Sequence, residues 1–139
     1  MRILIIGGVA AGTKAAAKLK RENRDSEITI LTKGKEISYA GCGLPYYVGK
    51  LIEQEEQLIV NTPKQFSGLT GVEVLTQTEV TGIDRTKKEI KATALRTGIQ
   101  SNYQYDKLIL ASGASSIHPN IEGNNLEGVF YMCQCISNH

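Results

Sequence analysis

Long hydrophobic runs are missing from this 139-residue chain. The longest near the N-terminus, Ile3 to Ile6, is too short for a membrane span or a signal peptide. A cytoplasmic location and no membrane partner are therefore expected. A strong charge of either sign is missing too. The net charge is +2 and the 16 basic residues are spread along the chain, so no nucleic-acid partner is expected. Cysteines are few. Cys42, Cys133 and Cys135 have neither zinc-ligand spacing nor a C-x-x-C pairing, so no metal site is expected. An odd count without an export signal argues against a disulfide framework. Repeats and low-complexity linkers are absent as well. What is there, 41% apolar and 22% charged residues, is the make-up of one soluble globular domain with a real core.

The chain opens with Arg2-Ile3-Leu4-Ile5-Ile6, a continuous apolar run that suits a strand buried on both faces of a parallel sheet. Gly7-Gly8-Val9-Ala10-Ala11-Gly12 follows, and Thr13 to Asn23 reads as a helix. Ala11, Ala15, Ala16 and Leu19 share its small apolar face, with Lys14, Lys18 and Arg21 on another. Ile28-Thr29-Ile30-Leu31 completes a strand–helix–strand unit with an assumed right-handed crossover. Asn61-Thr62-Pro63 reads as a second helix start, a capping hydroxyl followed by proline at the first helical position.

Val72 to Leu75 is a third strand, after which the texture changes. Thr76 to Ile83, Glu89 to Leu95 and Ile99 to Tyr105 are short segments separated by turn-like residues, and predict an antiparallel meander over about 76–105. Lys107 to Ala111 returns to the parallel-strand pattern and stops at Ser112-Gly113-Ala114. The expected fold class is α/β: a Rossmann-like domain with a parallel sheet and an antiparallel β-meander.

A dinucleotide fingerprint places glycines first, third and sixth, for a tight turn, close pyrophosphate approach and close helix packing. Here Gly7 and Gly12 hold the first and sixth places and Val9 the third. Gly8 and Ala10 keep the surroundings small, so amides at the helix N-terminus can face a phosphate. The plainer alternative is a tight turn in an unrelated α/β protein. The acidic residue that would bind ribose hydroxyls at the end of the second strand is missing. Thr32 stands there, followed by Lys33, and a threonine hydroxyl makes one such bond rather than a bidentate pair.

The stretch Ser38 to Tyr47, S-Y-A-G-C-G-L-P-Y-Y, places Cys42 where a helix is expected to begin, with Gly49 ending it. A thiol in the first turn of a helix lies near the positive end of the macrodipole, which favours the reactive thiolate. A free cysteine is otherwise most often a small buried hydrophobe. Tyr46 and Tyr47 read as packing residues and His118 as a loop residue, while Cys133 and Cys135 carry no assigned role.

The G-G-V-A-A-G turn, S-Y-A-G-C-G-L-P-Y-Y, E-V-T-G-I-D from Glu79 to Asp84 and Y-D-K-L-I-L-A-S-G-A from Tyr105 to Ala114 occur in that order. Together they resemble the N-terminal part of the coenzyme A-disulfide reductases, from Arg2 to about Gly123. These belong to the single-cysteine branch of the FAD-dependent pyridine nucleotide-disulfide oxidoreductases, alongside NADH oxidases and peroxidases.

The resemblance implies FAD held at its pyrophosphate by Gly7, Gly8, Val9, Ala10, Ala11 and Gly12. It places Thr32 and Lys33 by the adenosine ribose, Val80 by the adenine, and Ala111, Ser112 and Gly113 against the cofactor at a strand end. Cys42 is implied as the redox-active thiol beside the flavin, with Ser38 hydrogen-bonding the thiolate or the incoming sulfur. Coenzyme A or its disulfide is the implied partner, its phosphates met by Lys14, Lys18 and Arg21. Arg21 matches a basic position of the family, whereas Lys14 and Lys18 stand where neutral residues are expected. The duller reading of that face is a solvated helix surface.

Members of the family continue into an NAD(P)H-binding domain, a second FAD segment and a dimerisation domain. No second glycine-rich turn follows Gly123 here, and residues 124–139 read as an atypical tail. The expected division is a FAD-binding segment over 1–123 and that tail, with no NAD(P)H domain and no dimerisation domain. A homodimer is left open. The expected function is NAD(P)H-linked, FAD-dependent reduction of coenzyme A disulfide or a related persulfide through Cys42, impaired in a truncated chain. The alternatives are an NADH oxidase or peroxidase cycling through a cysteine sulfenic acid, and a non-catalytic nucleotide-binding fragment.

Overall fold

Alternation along the first strand sets the layers. In a computed structural model, which describes residues 1–131, strand β1 (Arg2–Ile6) pairs in parallel with β2 (Glu27–Leu31) on one side and β7 (Lys107–Leu110) on the other. Strand β3 (Glu73–Leu75) adds to β2, giving the order β3-β2-β1-β7. Successive side chains of a strand point to opposite faces. Ile3 and Ile5 of β1 and Ile28 and Ile30 of β2 pack with Ala16 of helix α1 (Ala10–Glu22) and Phe66 of α3 (Pro63–Thr70). Leu4 and Leu31 take the other face, against Ile90, Ala92 and Tyr105. The continuous apolar run is thus explained: both faces of the sheet are covered.

Ile90 and Ala92 belong to the meander β4 (Thr78–Asp84), β5 (Glu89–Ala94) and β6 (Gln100–Gln104), antiparallel in that order. Its first turn is organised by Asp84, whose Oδ1 accepts from the amides of Thr86 and Lys87 at 3.0 and 2.9 Å. The three expected meander strands are present with ends trimmed by one to two residues at most positions.

Helix α3 starts as read. Thr62 is the N-cap, its hydroxyl accepting from the Gln65 amide while the Gln65 side chain accepts from the Thr62 amide, with Pro63 first in the helix. Helix α1 starts at Ala10, three residues before the expected Thr13, because the backbone coils immediately after Val9. The Thr13 amide donates to Val9 O at 3.3 Å, and the Thr13 hydroxyl donates to the same carbonyl. Ala11, assigned from the sequence to the apolar face, is exposed; Gly12, Thr13 and Ala16 are buried instead.

No helix among the described residues is long and apolar enough to cross a membrane. Cys133, Cys135 and the rest of residues 132–139, half of the 124–139 tail, lie outside the described residues.

Candidate functional site

Strands β2 and β3 lie on one side of β1 and β7 lies on the other, so the sheet order reverses beside β1. In open α/β sheets, ligands sit outside the carboxyl ends of the strands at such a switch point. A cleft of about 770 Å³ opens there. Its walls are the ends of β1 (Ile6) and β2 (Leu31), the glycine-rich turn through Val9, Thr32 to Glu36, Thr78 to Val80 of the meander, and Ala111 to Ala114 after β7.

The turn is built for close approach. Gly7 has φ 109°, and a Cβ there would stand 2.0 Å from Ala111 O. A Cβ on Gly12 would stand 1.8 Å from Gly7 O, so α1 can lie this near the turn only with hydrogen at that position. The Gly7 amide donates to Leu31 O at 2.8 Å, tying the turn to the end of β2. Helix α1 has no side-chain cap at Val9 and no acidic residue in its first turn. An uncapped helix start carries unpaired amides and partial positive charge, which suits a phosphate.

Of the residues singled out from the sequence, Gly7, Gly8, Val9, Thr32, Lys33, Val80, Ala111, Ser112 and Gly113 line this one cleft. Ala10, Ala11 and Gly12 lie just behind, in the first turn of α1. Lys33 Nζ pairs with Glu79 Oε1 at 3.0 Å across the cleft wall. Glu79, Tyr39, Ile59 and the pair Glu55 and Glu56 also line it and were not singled out. Glu79 sat inside the quoted E-V-T-G-I-D motif, but nothing local to the sequence says which distant strand it will face.

Cys42 is exposed and does not line the cleft. It sits in the 3-10 turn Gly41–Gly43, not in the first turn of an α-helix as expected. The reason is Pro45, which has no N–H to return to Gly41 O; the Leu44 amide bonds that carbonyl instead, one residue earlier. Helix α2 (Leu44–Val48) follows with five residues, too few to sum a large macrodipole. Tyr46, expected to pack, is 56% exposed.

The cysteine segment is nevertheless tied to the glycine turn. The Ser38 amide donates to Gly8 O at 3.0 Å, and Ser38 itself holds φ 52°, a conformation uncommon outside glycine. On its far side the segment pairs with 58–60: the Ala40 amide donates to Leu58 O at 2.7 Å and the Val60 amide to Ser38 O at 3.0 Å, around a Tyr39–Ile59 bridge.

Lys14, Lys18 and Arg21 are exposed along α1 and do not line the cleft. Lys18 Nζ meets Glu22 Oε1 at 2.6 Å, one turn on, and this contact holds the Glu22 carboxyl below its ordinary range. His118 lies on a loop as read, stacked on Tyr131 with ring centroids 3.9 Å apart.

A family model, the pyridine nucleotide-disulphide oxidoreductases, matches residues 1–138. The chain belongs to that family. Its match runs past Gly123, where the motif resemblance ended. Members are FAD-dependent oxidoreductases working with NAD(P)H. The chain is 38% identical over 130 residues to a NADH oxidase of Methanocaldococcus jannaschii, covering 94% of this chain and 29% of that protein. It is 34% identical over 115 residues to a coenzyme A disulfide reductase of Staphylococcus haemolyticus, covering 83% of this chain and 26% of that one. Among solved structures, a NAD-dependent persulfide reductase from A. fulgidus superposes with TM-score 0.84 at 41% identity, over 92% of this chain and 24% of that chain. The chain thus spans about a quarter of the length of these relatives.

The residues present fit the family's flavin cofactor: a glycine turn packed so closely that a Cβ at Gly7 or Gly12 would meet backbone, an uncapped helix start beside it, and a cleft continuing along the ends of β2 and β4.

Proposed function

We propose that this chain supplies the FAD cradle and the reactive thiol of an enzyme that reduces coenzyme A disulfide or a related persulfide with electrons from NAD(P)H. Gly7, Gly8, Val9 and the start of α1 hold the diphosphate. Thr32, Lys33 and Val80 receive the adenosine, and Ala111 to Gly113 close the other side. Bound FAD supplies two-electron transfer between a nicotinamide and sulfur.

The observation that carries the reading is the exposed Cys42 thiol on a turn hydrogen-bonded, through Ser38, to Gly8 of the cradle. A thiolate at Cys42 attacks one sulfur of the disulfide. The new S–S bond forms as the old one breaks, and one equivalent of coenzyme A thiolate leaves. Ser38 positions that sulfur, and Lys14, Lys18 and Arg21 on the exposed face of α1 attract the phosphates of the substrate.

Incubating the purified chain with coenzyme A disulfide, followed by mass spectrometry with peptide mapping, tests this. A single adduct on the Cys42 peptide, lost in Cys42→Ser, is expected. An adduct confined to Cys133 or Cys135, or one that persists in Cys42→Ser, overturns the assignment. Flavin absorption bands after addition of FAD and gel filtration test the cradle separately; their absence leaves only a fold.

A second reading is favoured by the 38% identity to a NADH oxidase. There the Cys42 thiolate attacks a peroxide, giving sulfenic acid and hydroxide. Trapping by dimedone after peroxide treatment, without a coenzyme A adduct, selects it.

A further inference from the structure

The strand-end acid that normally accepts from an adenosine ribose is replaced, just after β2, by Thr32 and Lys33. A carboxylate reaches the same place from another strand. Beyond Leu31 the backbone keeps pairing with the segment that enters β4. The Thr32 amide donates to Leu75 O at 3.0 Å, the Thr78 amide to Thr32 O at 2.9 Å, and the Gln77 amide to Gly34 O at 3.0 Å. These bonds set Glu79 beside the end of β2, on the wall of the same cleft as Thr32, Lys33 and Val80.

Lys33 Nζ takes Glu79 Oε1 at 3.0 Å. Among the described residues no other side-chain hydrogen bond reaches that carboxylate, so Oε2 keeps its acceptor capacity on a residue that lines the cleft. The pair is too exposed to be explained by stability, with Lys33 at 70% and Glu79 at 39% side-chain exposure.

We infer that Glu79, oriented by Lys33, is the residue that accepts the adenosine ribose 2′-hydroxyl, in place of the missing strand-end acid. This rests on the reading of the cleft as the FAD site. The arrangement also selects against a 2′-phosphate. Lys33 alone would attract one, but a carboxylate at ion-pair distance neutralises it and repels the anion.

The test uses the 139-residue chain and fragments that lack the flavin, with calorimetry as the readout. The unaltered chain is expected to bind ADP about tenfold more tightly than 2′-deoxy-ADP, the worth of one hydrogen bond to a charged group. It should disfavour 2′-phospho-ADP. Glu79→Ala, checked for folding by circular dichroism, is expected to lose the preference for ADP while binding 2′-deoxy-ADP as before. Glu79→Gln, which keeps the shape of the side chain and a weaker acceptor, should shrink it. An undiminished preference in both variants, or tighter binding of 2′-phospho-ADP by the unaltered chain, overturns the inference and leaves the cofactor reading standing. Failure of the unaltered chain to bind either ADP or FAD overturns both.

Discussion

The glycine-rich turn and the cysteine turn are neighbours joined by one hydrogen bond, yet they are held by different physics. The first is determined by exclusion: Gly7 and Gly12 leave hydrogen where any larger atom would meet a backbone carbonyl within 2.0 Å. The second is determined by strapping. Its thiol is exposed, its helix has five residues, and its place depends on the bonds through Ser38, Ala40 and Val60. A phosphate cradle must be rigid before its ligand arrives, because its amides gain only from a preset geometry. A thiol that exchanges disulfides must stay accessible to a partner sulfur. Under the proposed function, the contrast follows from those two tasks.

The largest expected effect attacks the rigid side. Gly12→Ala places a methyl group against Gly7 O, which is backbone and cannot swing away. A loss of about 3 kcal/mol, at the upper end of overpacking costs, is expected from urea unfolding, together with loss of ADP binding. Retention of both would show that α1 can slide from the turn, and the contrast would fail.

Next comes Leu58, 1% exposed, whose carbonyl accepts from the Ala40 amide. Leu58→Ala is expected to cost about 2 kcal/mol. Hydrogen exchange sharpens the comparison. The Ala40 and Val60 amides should exchange faster in this variant, while the Gly7 amide, bonded to Leu31 O, keeps its protection. Equal acceleration at Gly7 would mean that the two turns open together.

The smallest effect concerns a control far from both turns. Arg2 N–H donates to Asp106 Oδ2 at 2.6 Å, and this bond holds the Asp106 carboxyl below its ordinary value of 3.8, against the opposing effect of desolvation. A carboxyl with a folded-state pKa below its unfolded one stabilises above the unfolded value, and that contribution fades as pH falls through the folded one. Asp106→Asn should therefore lower Tm slightly at neutral pH, converge with the unaltered chain below about pH 4, and so flatten the acid limb of the Tm-against-pH curve.

Much of the frame was legible before any coordinates. The apolar runs of β1 and β7, the Thr62-Pro63 helix start and the meander punctuated by Asp84 are local matters of propensity, capping and turn chemistry. The residues from Gly7 to Val9, with Thr32, Lys33, Val80 and Ala111 to Gly113, were singled out from the sequence and line one cleft, most of them lying at or just beyond strand ends that the pattern marks. Three readings missed. Ala11 faces solvent, and the buried face of α1 runs through Gly12, Thr13 and Ala16 instead. Cys42 stands in a 3-10 turn because Pro45 breaks the ladder ahead of it. Tyr46 is exposed on the five-residue α2, none of whose residues is buried.

By itself, the sequence determined where the chain runs straight, coils and turns, and where no side chain is allowed, since those depend on atoms a few bonds apart. Only the tertiary structure decided that β7 lies beside β1, that Ser38 clasps Gly8, and that Glu79 faces Lys33 from 46 residues away. Such pairings are selected by the burial of two sheet faces at once, a property of the assembled layers that no short window of residues contains.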